Sequence, residues 1–174
     1  MTDKNIKINT LHDLLDYNAR KFTSAEIQLK NRLPEWVNLA VSVKLKTVLL
    51  KYHDYIQDHV KKLEKFFEQE EINSISVSNR VMRAFIEETD EKPESCSDSE
   101  VKDACLLASI QSINHFKVSI YGTAAAFSNT LGMEDHAKLF HEAEINEKQI
   151  DDRLSQLAEH EINTKAKAQV VLPG

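Results

Sequence analysis

The sequence predicts an all-α fold, a bundle of four long helices, from three observations. The 174 residues include only three glycines and three prolines, which is typical of long helices with short connections. Four long segments carry apolar residues at helical spacing, and none shows the strict alternation of a half-buried strand. A hydrophobic content of 41% and a charged content of 29% suit one globular domain of this length with a sizeable core.

The first helix is predicted from about Thr10 to Leu33. Thr10 can cap it, and Asp13 stands in its first turn. The buried face of this helix is predicted to follow a heptad-like stripe of Leu11, Leu15, Asn18, Phe22, Glu26, Leu29 and Leu33. Pro34 then predicts a break, and it can serve as the first residue of the next helix.

The second helix is predicted to run from Pro34 to about Glu71. Its stripe consists of Val37, Val41, Leu45, Val48, Tyr52, Tyr55, His59, Leu63 and Phe66. So short a turn at Pro34 makes the first two helices an antiparallel hairpin.

The helical pattern weakens between Glu70 and Asp98. One short amphipathic helix is predicted there from the spacing of Val77, Val81, Met82 and Phe85. A polar linker over residues 91–98 follows it.

Two more long helices complete the bundle. Ser97 and Glu100 have the spacing of a capping box that opens the third long helix. The stripe of that helix is Leu106, Ile110, Ile113, Lys117, Ile120, Ala124, Phe127 and Leu131. Gly132 is suited to end it, and a last helix is predicted from about Glu134. The stripe of the last helix is Phe140, Ala143, Glu147, Ile150, Leu154 and Leu157.

The order of these elements predicts a particular bundle topology. Two tight hairpins joined by a connection over residues 70–98 fit the ferritin-like four-helix bundle, with a short fifth helix in the crossover. We expect a flexible N-terminus over residues 1–9 and the bundle over residues 10–162. Residues 163–174 lose the helical period and are expected to form a frayed tail.

Charge and composition exclude several classes of partner. Twenty-two basic against 28 acidic residues give a formal charge of -6, which argues against a nucleic-acid-binding surface. No apolar run is long enough to cross a bilayer, and the polar N-terminus is unlike a signal peptide. Cys96 and Cys105 lack the spacing of a metal or redox motif, so we expect two free thiols in a cytoplasmic protein.

Each long stripe is interrupted near its middle by polar residues. These are Glu26, Tyr55 with His59, Lys117, and Glu147 with Asp151. If the four stripes face one another, these side chains meet at one level inside the bundle. Bundles that place carboxylates and histidines there usually hold two metal ions. Lys117 cannot ligate a metal while its amine is protonated, so it argues against such a centre.

With these residues in view, the chain resembles the YciE/YciF family of bacterial ferritin-like proteins. The resemblance is collinear from about Thr10 to Leu157. It is carried by Thr10-Leu-His-Asp-Leu-Leu, Ser24-Ala-Glu-Ile-Gln-Leu with Leu33-Pro34, Val60-Lys-Lys-Leu-Glu, Val101-Lys-Asp-Ala, Ile113-Asn-His-Phe-Lys-Val-Ser-Ile-Tyr-Gly-Thr and Glu147-Lys-Gln-Ile-Asp. The resemblance implies a ferritin-like fold, a link to stress responses, a dimer, and a bundle centre that can bind two metal ions.

The resemblance also implies a set of metal ligands, and part of that set is present. Glu26 matches the family's first-helix glutamate, while Glu147 and Asp151 match its last-helix Glu-x-x-x-Asp. The resemblance therefore supports a carboxylate contribution from the first and last long helices.

The other positions depart from the family pattern. The family has a glutamate where this chain has Tyr55 and a glutamine where it has His59. Two family glutamates correspond to Asn114 and Lys117. Several carboxylates that the resemblance implies are therefore missing at the centre of the bundle.

Besides a pair of metal ions with altered ligands, two kinds of centre are compatible with the residues that remain. Glu26, His59, Glu147 and Asp151 could ligate one iron or manganese ion. Alternatively, Lys117 could lie between Glu26 and Glu147 and supply the positive charge itself, because buried carboxylates are tolerated when paired and hydrogen-bonded. We favour the second arrangement and expect no cofactor.

These observations give a first functional hypothesis and two alternatives. We expect a stress-associated homodimer that acts as a structural or partner-binding module and engages neither nucleic acid nor membrane. Trp36, Phe67 and Phe116 lie beyond the central stripes and add weak support for a dimer. The first alternative is a metal-dependent oxidase or ferroxidase-type enzyme with altered ligands. The second is metal-free redox chemistry at Tyr55 with Lys117 as its electrostatic partner. The sequence does not decide whether the protein is an enzyme.

Overall fold

The computed structural model describes residues 7–72 and 77–167 and confirms the all-α class. Six α-helices are present in these residues: α1 (Leu11–Leu39), α2 (Val43–Gln69), α3 (Arg80–Glu91), α4 (Ser99–Thr130), α5 (Glu134–Leu157) and α6 (Asn163–Ala166). A 3₁₀ turn over Lys92–Ser95 precedes α4, and a π-helical turn over Ala158–Ile162 joins α5 to α6. Residues 1–6 of the predicted flexible N-terminus (1–9) and residues 168–174 of the predicted tail (163–174) lie outside the described residues. The beginning of that tail is helical rather than frayed, because α6 covers Asn163–Ala166.

The four long helices form two antiparallel hairpins, α1–α2 and α4–α5. At one end of the bundle, Asp103 near the start of α4 accepts hydrogen bonds from the backbone N–H groups of Val41 and Ser42, at 2.8 and 2.7 Å. At the other end, His136 at the start of α5 contacts Glu70 at the end of α2. The crossover must therefore run the length of the bundle, and α3 within it packs on α1 and α4. This is the topology that the sequence predicted.

The predicted helix break at Pro34 is wrong, because α1 continues through this proline to Leu39. The second helix instead begins at Val43, where Ser42 caps it by accepting from the N–H of Leu45. Asp103 binds the two N–H groups of the intervening turn, which fixes the break after Leu39.

A side chain from the neighbouring helix compensates for the proline inside α1. Pro34 has no N–H to donate to the carbonyl of Lys30, four residues earlier. His53 of α2 supplies that donor, with Nε2 3.1 Å from the Lys30 oxygen. Gln57 Nε2 lies 3.0 Å from His53 Nδ1 and donates to it, which leaves the ring proton on Nε2. The helix is thus kept intact by a contact that no local sequence pattern reveals.

The beginnings of the other helices follow local capping rules, with one correction. Thr10 and Asp13 form the capping box of α1, as their spacing indicates. The third long helix is capped by Asp98, which accepts from the N–H groups of Glu100 and Val101, and not by Ser97. An aspartate at this position satisfies the same free N–H groups that the predicted serine would have satisfied.

The predicted stripes are correct for α5 and shifted in α2 and α4. In α2, Ile56 is buried beside Tyr52, whereas Tyr55 lies at the edge of the bundle. In α4, Tyr121 takes the buried place that was predicted for Ile120. Steps of three and four residues both stay on one helical face, so the spacing alone could not choose between these neighbours.

The apolar core consists of two clusters with a polar layer between them. One cluster lies towards the α1–α2 turn and includes Leu33, Trp36, Leu49 and Ile110. The other lies towards the opposite end and includes Phe66. Among the described helices, none is long and apolar enough to cross a membrane.

Candidate functional site

The polar layer is formed by one charged or titratable side chain from each long helix. Glu26 comes from α1, His59 from α2, Lys117 from α4 and Glu147 from α5. Each of the four is at most 1% exposed. Every one of them was predicted from an interruption of an apolar stripe, and the structure brings all four together.

Lys117 points into the bundle and lies between the two carboxylates. Its Nζ is 3.0 Å from Glu26 Oε2 and 2.6 Å from Glu147 Oε1. The same Nζ lies over the ring of Tyr52, 4.7 Å from its centroid, which adds a cation–π contact. These three charged atoms make no well-directed hydrogen bonds among the described residues, so their contact is ionic, held by charge and distance.

His59 completes the network, and its ring contacts both carboxylates. Its Nδ1 is 3.2 Å from Glu26 Oε1 and 3.4 Å from Glu147 Oε1. Its Nε2 lies 3.3 Å from Asn146 Nδ2, and an amide nitrogen can only donate. Asn146 therefore donates to His59 Nε2, and His59 donates from Nδ1 to Glu26.

Neutral donors satisfy the remaining carboxylate oxygens. Tyr121 donates its hydroxyl to Glu26 Oε1, and Tyr52 donates to Glu147 Oε2 at 2.7 Å. Asn114 donates through Nδ2 to the same Glu147 oxygen at 2.7 Å and to the Glu147 backbone carbonyl at 3.0 Å. Buried carboxylates are costly unless paired and hydrogen-bonded, and both conditions are met here.

The network controls the ionisation of its members. Burial alone would raise the pKa of Glu26, but the charge of Lys117 and the hydrogen bond from His59 outweigh it and lower this pKa to about 2. Burial, followed by the nearby carboxylates, raises the pKa values of Tyr52 and Tyr121 well above the ordinary value for tyrosine. At neutral pH the layer therefore holds an ionised Glu26 and two neutral phenols.

Two of the predicted central residues lie elsewhere. Asp151 accepts from His115 Nε2 at 2.8 Å on the surface between α4 and α5, and it does not reach the layer. The Tyr55 hydroxyl donates to Gln149 at 2.8 Å, and Lys51 Nζ lies over its ring, also outside the centre. This placement removes the geometric basis for redox chemistry at Tyr55 with Lys117 as its partner.

The stripe analysis missed two central residues, Asn114 and Tyr121, and Tyr121 is the one that binds Glu26. It follows Lys117 by four residues, which places both side chains on one face of α4. A search for hydrogen-bonding residues one turn from each interruption would have found it. Tyr52 was already on the predicted stripe of the second helix, seven residues and about two turns from His59.

The centre does not fit the two-metal site that the family resemblance implies. Ligand atoms of Glu26, His59 and Glu147 lie within 4.8 Å of one another, so three ligands converge. A two-metal site of this bundle type uses about four carboxylates and two histidines, and the described layer supplies two carboxylates and one histidine. The ammonium of Lys117 already occupies the space between the carboxylates, where it would repel a cation.

Comparison with known proteins gives matches over nearly the whole chain. A family model described as "Domain of unknown function (DUF892)" matches residues 10–167. Protein YciF of Escherichia coli (strain K12) is 30% identical over 162 residues, which is 92% of this chain and 98% of that protein.

Two solved structures share the fold. The crystal structure of the E. coli stress protein YciF has a TM-score of 0.84 at 29% identity, covering 90% of this chain and 99% of that one. A protein from Rhodopseudomonas palustris named YcfI, for which a structural role has been suggested, has a TM-score of 0.82 at 25% identity. That match covers 89% of this chain and 98% of the other.

Proposed function

Since the chain belongs to the family described as DUF892 and is similar to YciF, we propose that it is a stress-associated, ferritin-like structural or partner-binding protein whose central metal site has been replaced by an ion-pair network. In this proposal the protein is a cytoplasmic homodimer and does not catalyse a reaction at the bundle centre.

The observation that carries the proposal is the position of Lys117. Its Nζ lies within 3.0 Å of a carboxylate oxygen on both Glu26 and Glu147, where a metal ion would otherwise bind. A lysine in this position neutralises charge without the redox or Lewis-acid chemistry that a metal ion supplies. The layer is thereby suited to holding the four helices in register rather than to turnover.

The alternative is a metal-dependent oxidase or ferroxidase-type protein, and one observation favours it. Glu26, His59 and Glu147 present three ligand atoms within 4.8 Å, enough for one iron or manganese ion if the lysine moved away. The two functions differ in metal content, so metal analysis separates them.

The test is elemental analysis of protein purified without chelator, together with oxygen consumption on addition of iron(II). The proposal expects well under one equivalent of iron or manganese per chain and no iron oxidation above a buffer control. Lys117→Glu restores a carboxylate at the centre and should bind iron(II) or manganese(II) more tightly than the wild type does. One or two tightly held iron or manganese ions per wild-type chain, lost in Glu26→Gln, would overturn the proposal.

The dimer is proposed from the family resemblance. The three aromatic residues that were expected to support it do not do so. Trp36 and Phe67 are buried within the chain, and Phe116 packs against Phe85, so these aromatics belong to the core. Apolar side chains are instead exposed on α2, including Val43 at 76% and Leu50. Light scattering should give about twice the 19.9 kDa of one chain. A single-chain mass at micromolar concentration would contradict the dimer.

A further inference from the structure

A second group of potential metal ligands lies at the end of the bundle away from the α1–α2 turn. His12 and Asp16 come from the first turns of α1, Glu70 caps the end of α2, and His136 stands in the first turn of α5. Four side chains from three helices thus converge where those helices begin or end. None of them takes part in the central network.

The contacts within this group connect all four side chains. His12 Nε2 is 3.0 Å from Glu70 Oε2, and His12 Nδ1 is 3.5 Å from Asp16 Oδ2. The other oxygen of Glu70, Oε1, is 2.8 Å from His136 Nε2. Glu70 is therefore held between two imidazoles, one on each side of its carboxylate.

Two atoms of the group are buried without a hydrogen-bond partner among the described residues, Asp16 Oδ1 and His136 Nδ1. Ligand oxygens of Asp16 and Glu70 lie within 4.8 Å of each other in partly buried surroundings, an arrangement that a divalent cation would stabilise.

We propose that this end of the bundle binds one Zn²⁺ ion through His12, Asp16 and Glu70, with His136 orienting Glu70 through its second oxygen. Mixed imidazole and carboxylate ligands are typical of protein zinc sites, and a fourth position can be taken by water. His12 and Asp16 are four residues apart on one helical face, the spacing that helical zinc-ligand pairs use. His136 does not bind the ion in this proposal but holds the ligating carboxylate of Glu70 in place.

The distances are compatible with this ion. One ligand atom from each of His12, Asp16 and Glu70 can be chosen so that all lie within 4.8 Å of one another. Ligand atoms in a tetrahedral zinc site are about 3.3 Å apart. Two ligand atoms that are 4.8 Å apart would therefore have to approach each other by about 1.5 Å. His12 is 44% exposed, which gives its ring the freedom to make such a movement.

Charge explains why the ion should prefer the end of the bundle to its centre. In the described structure no lysine lies within salt-bridge distance of the two carboxylates of the end group, and the charge of Arg20 acts on Asp16, so Zn²⁺ would complete their neutralisation. At the centre, Lys117 already pairs with both carboxylates. A metal ion bound at the end would connect α1, α2 and α5 and stabilise the folded state by binding it preferentially.

The experiment is calorimetric titration of ZnCl₂ into the tag-free, chelator-treated full chain, with thermal unfolding measured in parallel. The wild type should bind one Zn²⁺ per chain and unfold at a higher temperature when the ion is present. Asp16→Asn and Glu70→Gln should each weaken binding at least tenfold, and His136→Gln should weaken it roughly 10–100-fold. Circular dichroism of each variant verifies that the helices are retained.

His115→Gln is the matched control for His136→Gln, because His115 also pairs with a carboxylate across a helix interface, with its Nε2 2.8 Å from Asp151. It should bind Zn²⁺ as the wild type does. Absence of Zn²⁺ binding by the wild type, or unchanged binding in Glu70→Gln, would overturn this inference and leave the proposed function standing. Binding that is lost in Glu147→Gln but kept in Glu70→Gln would place the metal at the centre and overturn both.

Discussion

Lys117 Nζ lies 2.6 Å from Glu147 Oε1 in the interior of the bundle, where neither residue is more than 1% exposed. When one partner of this ion pair is removed, water cannot reach the remaining charge to hydrate it. The pair therefore affects stability much more than an ion pair on the surface does.

The first prediction concerns Lys117→Met, which roughly keeps the length of the side chain and removes its charge. Glu26 and Glu147 would then face each other without a counter-charge, and the free energy of unfolding should fall by about 3–5 kcal/mol at neutral pH. Urea unfolding followed by circular dichroism measures this difference.

Lys148→Met is the matched control, because Lys148 makes an equally short contact, 2.6 Å, with Glu144 on the surface of the same bundle. The loss there should be no more than about 1 kcal/mol, since solvent screens the pair. Equal losses in the two variants would contradict a buried role for Lys117.

The second prediction is acid destabilisation through Glu26. The pKa of Glu26 in the folded protein is lowered from 4.5 to about 2, so the ionised form is stabilised by folding. Its contribution is complete above about pH 4.5 and is lost as the pH falls from there through about 2. Urea unfolding at a series of pH values should show this loss in the wild type and a flatter profile in Glu26→Gln.

Other carboxylates could produce a similar acid loss, and salt separates them from Glu26. The pKa values of Glu144 and Glu161 are also lowered, by hydrogen bonds to lysines at the surface. At about 1 M salt the Debye length is about 3 Å, so contributions from these exposed pairs should fade while that of the buried Glu26 persists. If salt abolishes the acid loss, Glu26 is not its source.

The sequence predicts the bundle and its polar layer because both depend on periodicity. Interruptions of apolar stripes at helical spacing place Glu26, His59, Lys117 and Glu147 at one level, and the structure agrees. Burial of a charged residue within such a stripe is costly, so its presence there is a strong signal.

The parts that could not be predicted depend on contacts between distant residues. Pro34 appears locally as a helix break, and only His53 from another helix makes it tolerable. Asp151 has helical spacing from Glu147, yet the contact with His115 takes it to the surface. Spacing restricts a side chain to a face about one third of the helix wide, and packing decides the rest.

The third prediction concerns ionisation of the buried phenols. Burial and neighbouring carboxylates raise the pKa values of Tyr52 and Tyr121, so folding favours their neutral forms. This contribution is complete below the unfolded tyrosine pKa of about 10 and is lost as pH rises towards the folded values. Phenolate absorbance from these two residues should therefore appear only together with loss of helical circular dichroism.

Tyr52→Phe and Tyr121→Phe identify the two signals by difference from the wild type. Each substitution should remove one tyrosine from the late-ionising fraction. Reversible ionisation of either residue while the helical signal is retained would show that its hydroxyl reaches solvent.

The last prediction tests whether His53 replaces the hydrogen bond that Pro34 cannot make. In the wild type, His53→Ala leaves the Lys30 carbonyl without its donor and should cost about 1–3 kcal/mol. In a Pro34→Ala background, residue 34 regains an N–H that can donate to the same carbonyl, so His53→Ala should cost about 1 kcal/mol less. Chemical denaturation of the wild type, both single variants and the double variant gives this coupling energy directly. Because the two residues share one acceptor, their effects should not add. Additivity to within about 0.3–0.5 kcal/mol would mean that the histidine does not compensate for the proline and that α1 tolerates Pro34 for another reason.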